Sequence, residues 1–179
     1  AEMGELDRAV ELQRKAIALD EPRYLANPKD RREREISIWY YKLGDLYVKK
    51  REFAEAEKWH LKALEIFQRN FDEDPSSVDN RISLADSWYS IAEMYKAAGR
   101  WLDKAREFYE KALKFYEDAA AQDAANQRVR TDAAQTRVGL GDVYFRQNDF
   151  AAALSEYEKA LPVLQAQAER DPANARLKR

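Results

Sequence analysis

The chain has 179 residues, with 31 Lys and Arg against 33 Asp and Glu, and it contains no cysteine. The two signs of charge are interspersed and the net charge is −2, which excludes a strongly basic nucleic-acid-binding or membrane-surface protein. The lack of cysteine excludes disulfides, thiolate metal sites and cysteine nucleophiles, and we expect a cytoplasmic protein.

Apolar residues at helical spacing predict helices that are joined by short polar turns. Aspartate-proline pairs at 74–75 and 171–172 are expected to end helices, and NPKD at 27–30 is expected to act in the same way. Pro162 lies inside the last predicted helix and is expected to kink it. In chain order, helices are predicted at about residues 5–20, 30–49, 52–72, 77–98, 102–122, 126–147 and 150–170.

One eight-residue block occurs three times, at intervals of 48 and 49 residues, as YYKLGDLY at 40–47, WYSIAEMY at 88–95 and RVGLGDVY at 137–144. A second block follows each copy and reads FAEAEKWHLKAL, KAREFYEKAL and FAAALSEYEKAL in turn. A further copy of the second block, LDRAVELQRKAI, begins at Leu6. This self-similarity indicates a repeat architecture of helical pairs. Helix glycines cost about 1 kcal/mol relative to alanine, so Gly44 and Gly141 are expected to allow a close packing contact.

The pattern W/Y-x-x-L-G-x-x-Y, followed by aromatic-x-x-A-x-x-x-Y-x-x-A-L, resembles the tetratricopeptide repeat, and YYKLGDLYVKKREFAEAEKWHLKAL carries it most fully. The units here are near 48 residues long rather than the usual 34, and they are similar to the long repeats of bacterial multi-repeat proteins. The resemblance implies an all-α, right-handed superhelical solenoid of antiparallel helix pairs.

The repeat register divides the chain into five parts and predicts that it is an excised piece of a longer protein. The parts are the second helix of a truncated repeat at 1–26, three repeats at 27–74, 75–123 and 124–171, and the start of a further truncated repeat at 172–179.

No catalytic residue, metal site or cofactor is predicted, because no phosphate-binding loop, nucleophile elbow or zinc-protease motif occurs, and we expect no enzymatic activity. His60 is the only histidine and takes the place that Tyr109 and Tyr157 hold in other copies, so we expect it to pack or to make a local hydrogen bond. The charged run KDRRERE at 29–35 is interpreted as a solvated helix start.

The resemblance also implies that the first helix of each pair lines a concave groove for peptides. By register, the partner-binding residues are Tyr41, Asp45, Val48 and Lys49, then Tyr89, Glu93 and Lys96, then Val138, Asp142, Phe145 and Arg146, with Ile38, Asp86 and Gln135 farther along the same helices. The acids disfavour a ligand that ends in a bare carboxylate and favour one with Lys or Arg and apolar groups. Alternatively, three acid-base pairs only support their helices: Asp45 with Lys49, Glu93 with Lys96, and Asp142 with Arg146.

Trp39 and Trp59 are extra aromatics that are expected to fill the interface between lengthened helices, or to be partner contacts if they prove exposed. The predicted function is a protein-protein interaction scaffold, with a protein or peptide as partner and neither nucleic acid nor membrane. Two alternatives stay open: a regulatory or sensor arm of a larger signalling enzyme, and an architectural segment that self-associates through its uncapped ends.

Overall fold

The computed structural model describes residues 2–27 and 32–170, and it gives side-chain positions for residues 3–27 and 35–170. This part of the chain is helical throughout apart from short turns, and it contains no strand. Its helices are α1 (Glu2–Ala26), α2 (Arg32–Lys49), α3 (Phe53–Glu73), α4 (Val78–Ala98), α5 (Leu102–Gln122), α6 (Gln127–Arg146) and α7 (Phe150–Arg170). The expectations for NPKD, for most of KDRRERE and for the segment from Asp171 onward lie outside the described residues.

Each tight turn inside a helical pair contains one residue with a left-handed backbone. These residues are Arg51 (φ 61°), Gly99 (φ 75°) and Asn148 (φ 65°), which are 48 and 49 positions apart and therefore equivalent in the repeat. The N–H of each bonds the carbonyl three residues earlier and closes the end of the first helix. Between pairs, Ser77 and Asn126 cap the next helix, since their side-chain oxygens accept from the N–H groups of Asn80 and Val129 at 3.2 Å.

Small residues let the two helices of a pair approach closely. A Cβ added at Gly44 would lie 2.7 Å from Cε1 of His60, and one added at Gly141 would lie 2.6 Å from Cε1 of Tyr157. The packing need that the sequence predicted at these two glycines is therefore confirmed. Gly139, which the sequence did not single out, meets Tyr109 of the preceding pair in the same way, at 2.6 Å.

The helices stack in chain order, and the stack is tighter on one side. Each helix packs on the next, and α4 also contacts both α2 and α6 directly. No such close approach of the backbones joins α1 to α3, α3 to α5 or α5 to α7 within the described residues. On that side, neighbouring pairs meet through long side chains, such as Phe71 on α3 with Phe115 on α5. The side formed by α2, α4 and α6 is consequently the inner side of the curved stack, and we call it the inner face.

The predicted end of the first helix near residue 20 is wrong, because α1 continues through Pro22 to Ala26. Proline removes only one backbone hydrogen bond, and tertiary packing outweighs that loss. Tyr24 is buried beyond the proline, and its hydroxyl accepts a hydrogen bond from Nη2 of Arg69 at 2.7 Å. At the other end, α7 continues through Pro162 to Arg170.

Both extra tryptophans contribute to the interior. Trp59 is buried against Tyr40, with 5.6 Å between ring centroids, and Trp39 is half-buried against the core. Neither is exposed as a partner contact would be.

None of the described helices has the length and apolar character needed to span a membrane.

Candidate protein-binding face

The residues that the sequence assigned to a groove lie on α2, α4 and α6, and they differ in exposure. Lys49, Phe145, Arg146, Ile38 and Gln135 are exposed. Tyr41, Asp45, Val48, Tyr89, Glu93, Lys96, Val138, Asp142 and Asp86 are half-buried. Most of the row therefore has internal neighbours that decide how much of each side chain a partner could reach.

The two tyrosines of the row are held between neighbouring helices. The Tyr41 hydroxyl lies 2.7 Å from the Ser90 hydroxyl on α4, so it links the inner helices of two successive pairs. Its ring meets His60 edge-on, with 5.8 Å between centroids. The Tyr89 ring meets Tyr109 in the same manner at 5.9 Å. Each tyrosine thus has a fixed orientation and still presents part of its surface on the inner face.

Each acid of the row lies beside one repeated position of the second helix in its own pair. The Tyr157 hydroxyl donates to Oδ1 of Asp142 at 2.9 Å, and the Tyr109 hydroxyl donates to Oε1 of Glu93. In the first pair this position is His60, whose Nε2 lies 3.6 Å from Oδ1 of Asp45. Hydrogen bonds from the second helices therefore orient Glu93 and Asp142. The sequence did not reveal this role, because it depends on how the paired helices face each other.

Of the three acid-base pairs expected from the sequence, only Glu93 with Lys96 forms among the described residues. Nζ of Lys96 lies 2.9 Å from Oε1 of Glu93 and 3.2 Å from Oδ2 of Asp142, so it bridges α4 and α6. The expected pair of Asp142 with Arg146 does not form, because Nη1 of Arg146 instead donates to the Lys96 carbonyl at 2.7 Å, at the C-terminal end of α4. That end attracts cations. Among the described residues no ion pair joins Asp45 to Lys49.

Burial separates the charge states of Asp45 and His60. It raises the pKa of Asp45 to about 6, against the opposing attraction of Lys49, and it lowers the pKa of His60 to about 4. The histidine is 1% exposed, and within the described residues neither ring nitrogen has a hydrogen-bond partner. At neutral pH the contact therefore joins a carboxylate to a neutral imidazole and is not an ion pair. The structure confirms that His60 is a packed residue.

A pocket of about 220 Å³ opens on the inner face, next to Tyr41 and Tyr89. Asp86 and Asp132 are its acids, and Tyr116, Arg128 and Gln135 complete its lining. The Tyr116 hydroxyl donates to Oδ1 of Asp86 at 2.5 Å, and Nη2 of Arg128 donates to Oδ2 of the same carboxylate at 3.0 Å.

The two pocket acids resist ionisation more than ordinary aspartates do. Burial raises the pKa of Asp86, although Tyr116 and Arg128 oppose the shift. Burial also raises the pKa of Asp132, and the neighbouring charge of Asp86 adds to the effect. Nε of Arg128 lies 3.4 Å from Oδ2 of Asp132, at ion-pair distance but without hydrogen-bond geometry.

The sequence identified four of the pocket residues, Tyr41, Asp86, Tyr89 and Gln135, and missed the other three. Asp132 lies three positions before Gln135 on α6, so extending the row by one helical turn would have found it. Tyr116 comes from α5, the second helix of its pair, so a register drawn from first helices alone could not have assigned it to the pocket.

In the described part of the chain, no group of His, Asp or Glu side chains is placed to hold a metal ion.

Comparison with known proteins shows the family of this fold. The model of the tetratricopeptide repeat family matches residues 35–118 and 105–166, which is more than half of the chain. The crystal structure of BtubC (BKLC) from P. vanneervenii is similar at 22% identity and a TM-score of 0.69, over 92% of this chain and 58% of that chain. TTC0263, a thermophilic TPR protein from Thermus thermophilus, matches at 18% identity and a TM-score of 0.41, over 99% and 95% of the respective chains. No curated protein sequence is significantly similar. The chain belongs to the tetratricopeptide repeat family.

Proposed function

We propose that the chain is a protein-interaction module whose inner face binds an extended segment of a protein or peptide that carries basic and apolar groups. Tetratricopeptide repeats generally mediate protein-protein interaction, and the family points to a non-catalytic scaffold. The chain spans only 58% of the BtubC chain that it matches, so the task of any larger protein that contains it is part of this proposal.

The observation that carries the proposal is the repeated placement of an aromatic or apolar residue one turn before an acid along α2, α4 and α6. The three pairs are Tyr41 with Asp45, Tyr89 with Glu93, and Val138 with Asp142. Hydrogen bonds from the second helices already hold Glu93 and Asp142 in place. Binding to a surface that is fixed in advance avoids much of the entropic cost of ordering side chains, so a few contacts give useful affinity. Tyr41 and Tyr89 supply apolar and aromatic area, and Phe145 adds an exposed ring near the end of α6.

Charge on this face favours basic groups at particular places. Lys96 already balances Glu93 and Asp142, and it is mostly buried, so its role in this proposal is to position those acids. Among the described residues of this face, Asp45 has no ion pair with a lysine or arginine, and Asp86 and Asp132 share the single cation Arg128. A basic side chain of a partner is therefore expected at these two places, while the bridged acids contribute little to selectivity.

Site-specific photo-crosslinking tests the proposal. A benzophenone amino acid at position 38 reports on the inner face, because Ile38 is 38% exposed there. The matched control is position 61, since Leu61 is 42% exposed but lies on α3, away from the inner helices. We expect position 38 to crosslink a protein partner from a cell extract and position 61 to crosslink none, with Asp45→Lys abolishing the product. Equal crosslinking from both positions, with no effect of Asp45→Lys, would refute the assignment of the inner face.

A second candidate function, self-association through the ends of the stack, is favoured by the apolar surface of the terminal helices. Leu12, Leu19 and Leu25 are exposed on α1, and Leu154 and Leu161 are exposed on α7. Such surfaces would be buried if copies stacked end to end. Sedimentation at several protein concentrations tests this candidate: a concentration-dependent increase in mass that Leu19→Lys removes would support it, and a monomer at all concentrations would exclude it.

A further inference from the structure

We propose that the pocket lined by Tyr41, Tyr89, Tyr116, Asp86 and Asp132 receives one arginine side chain of the bound segment, whose guanidinium donates hydrogen bonds to the two carboxylates. We call it the guanidinium pocket. The inference rests on the proposed function and deepens it, since it names the group by which the partner is anchored and the place where that group is held.

The lining of the guanidinium pocket suits a planar cation. Three tyrosines surround a volume of about 220 Å³. Cations are attracted to aromatic rings, and among protein side chains a guanidinium combines a planar shape with several donors in a fixed fork. The hydroxyls of Tyr41 and Tyr116 already have partners in Ser90 and Asp86, so the hydrogen-bonding capacity that is left for a ligand belongs mainly to the carboxylates.

The charge balance of the pocket also favours a cation. Two carboxylates, Asp86 and Asp132, face a single internal cation, Arg128, among the residues that line the pocket. Oδ2 of Asp132 is shielded from solvent, and its one charged neighbour among the residues that line the pocket is Nε of Arg128, which lies 3.4 Å away without good hydrogen-bond geometry. An acceptor left in this state costs free energy that an incoming N–H group would recover. This weakly paired acceptor lies in the pocket where two carboxylates share one cation, which favours a positively charged donor at this place.

Arg128 shows that a guanidinium can occupy this position. Its Nη2 lies 3.0 Å from Asp86 and its Nε lies 3.4 Å from Asp132, so one guanidinium reaches both carboxylates. Its side chain is nevertheless 68% exposed, because it approaches from the rim of the pocket. An exposed ion pair of this kind contributes little to stability. A partner arginine therefore takes over the carboxylates from inside the pocket, while Arg128 turns into solvent.

The test is an NMR titration of the folded chain with N-acetyl-arginine amide, using N-acetyl-citrulline amide as the neutral probe of equal shape. We expect saturable shifts at residues of the pocket with the arginine probe and none with the citrulline probe. Asp132→Asn should weaken binding about tenfold, the effect of losing one charge-assisted hydrogen bond. Arg128→Ala should strengthen binding, because the internal competitor is gone. The matched control, Asp118→Asn, changes an exposed acid of α5 outside the pocket and should leave binding unaltered.

Four results would overturn the inference: no binding of the arginine probe, equal binding of the two probes, no effect of Asp132→Asn, or weaker binding by Arg128→Ala. Circular dichroism of each variant identifies loss of folding, and Asn has nearly the shape of Asp, so the backbone of α6 should be unaffected. If the probe fails while crosslinking from position 38 still captures a partner, the proposed function stands and the arginine anchor is wrong. If both fail, the inner face is not the binding surface.

Discussion

The close contact between Gly44 and His60 leads to a prediction whose sign depends on the tertiary structure. A Cβ at position 44 would lie 2.7, 2.8 and 2.9 Å from three atoms of the His60 ring, whereas ordinary contact begins at 3.4 Å. The ring is 1% exposed, so it cannot swing aside into solvent. Overpacking of this kind costs about 1–3 kcal/mol, and the gain in helix propensity from Gly to Ala returns about 1 kcal/mol. Gly44→Ala should therefore destabilise the chain by up to about 2 kcal/mol.

Gly4 provides the matched control, because it also lies in a helix and a Cβ there would meet nothing within 4 Å. Gly4→Ala should raise the free energy of unfolding, by up to about 1 kcal/mol. Urea unfolding followed by far-ultraviolet circular dichroism measures both changes. The decisive variant is Gly44→Ala in a His60→Ala background, where the clash is absent and the same substitution should become stabilising. If Gly44→Ala were stabilising in the parent chain, or if its effect did not change sign with His60→Ala, the steric reasoning would be refuted.

Three further predictions follow from the backbone and the charges. Arg51 has a left-handed backbone, with φ of 61°, which is strained for any residue that carries a Cβ. Arg51→Gly should therefore stabilise the chain by about 1 kcal/mol in urea unfolding, whereas Arg51→Ala keeps a Cβ and should give no such gain. Because the pKa of Asp45 is raised in the folded chain, the contribution of Asp45 to stability falls as the pH rises from about 4 to about 6. Because the pKa of His60 is lowered, the contribution of His60 to stability rises between about pH 4 and 6.5. Asp45→Asn should therefore make stability rise more steeply with pH in urea titrations, and an unchanged profile would contradict these shifts. Lys96→Met should lower the free energy of unfolding by roughly 1–3 kcal/mol, because it leaves the carboxylates of Glu93 and Asp142 without their shared cation. Lys49→Met is the control: it changes an exposed lysine and should alter the free energy of unfolding by less than about 0.5 kcal/mol. Urea unfolding measures both changes.

The helices and their turns were largely predictable because their signals are local. Helical periodicity, a residue such as Ser77 at a helix start and the repeated blocks all act within a few residues of the chain. The glycines at 44 and 141 were also informative, since a residue that weakens a helix needs a packing reason. Pro22 shows the limit of this reasoning: the local rule ends a helix there, but burial of Tyr24 continues it to Ala26.

The candidate site could be predicted only in part, because a register assigns residues to a face without giving their partners. It assigned Asp142 to the inner face and paired it with Arg146, the nearest base on the same helix. The structure pairs Asp142 with Lys96 of the preceding repeat and with Tyr157 of its own second helix. These partners are 46 and 15 residues away in sequence, and only the stacking of pairs brings them within reach.

The sequence by itself determined that this chain is a stack of helical pairs, because period, turn chemistry and self-similarity act over short distances and are repeated in register. Only the tertiary structure decided which charges of the inner face have close ionic partners and which do not. The guanidinium pocket depends on side chains from α2, α4, α5 and α6. Its shape and charge follow from the stacking of successive pairs, since no single repeat contains all of its walls.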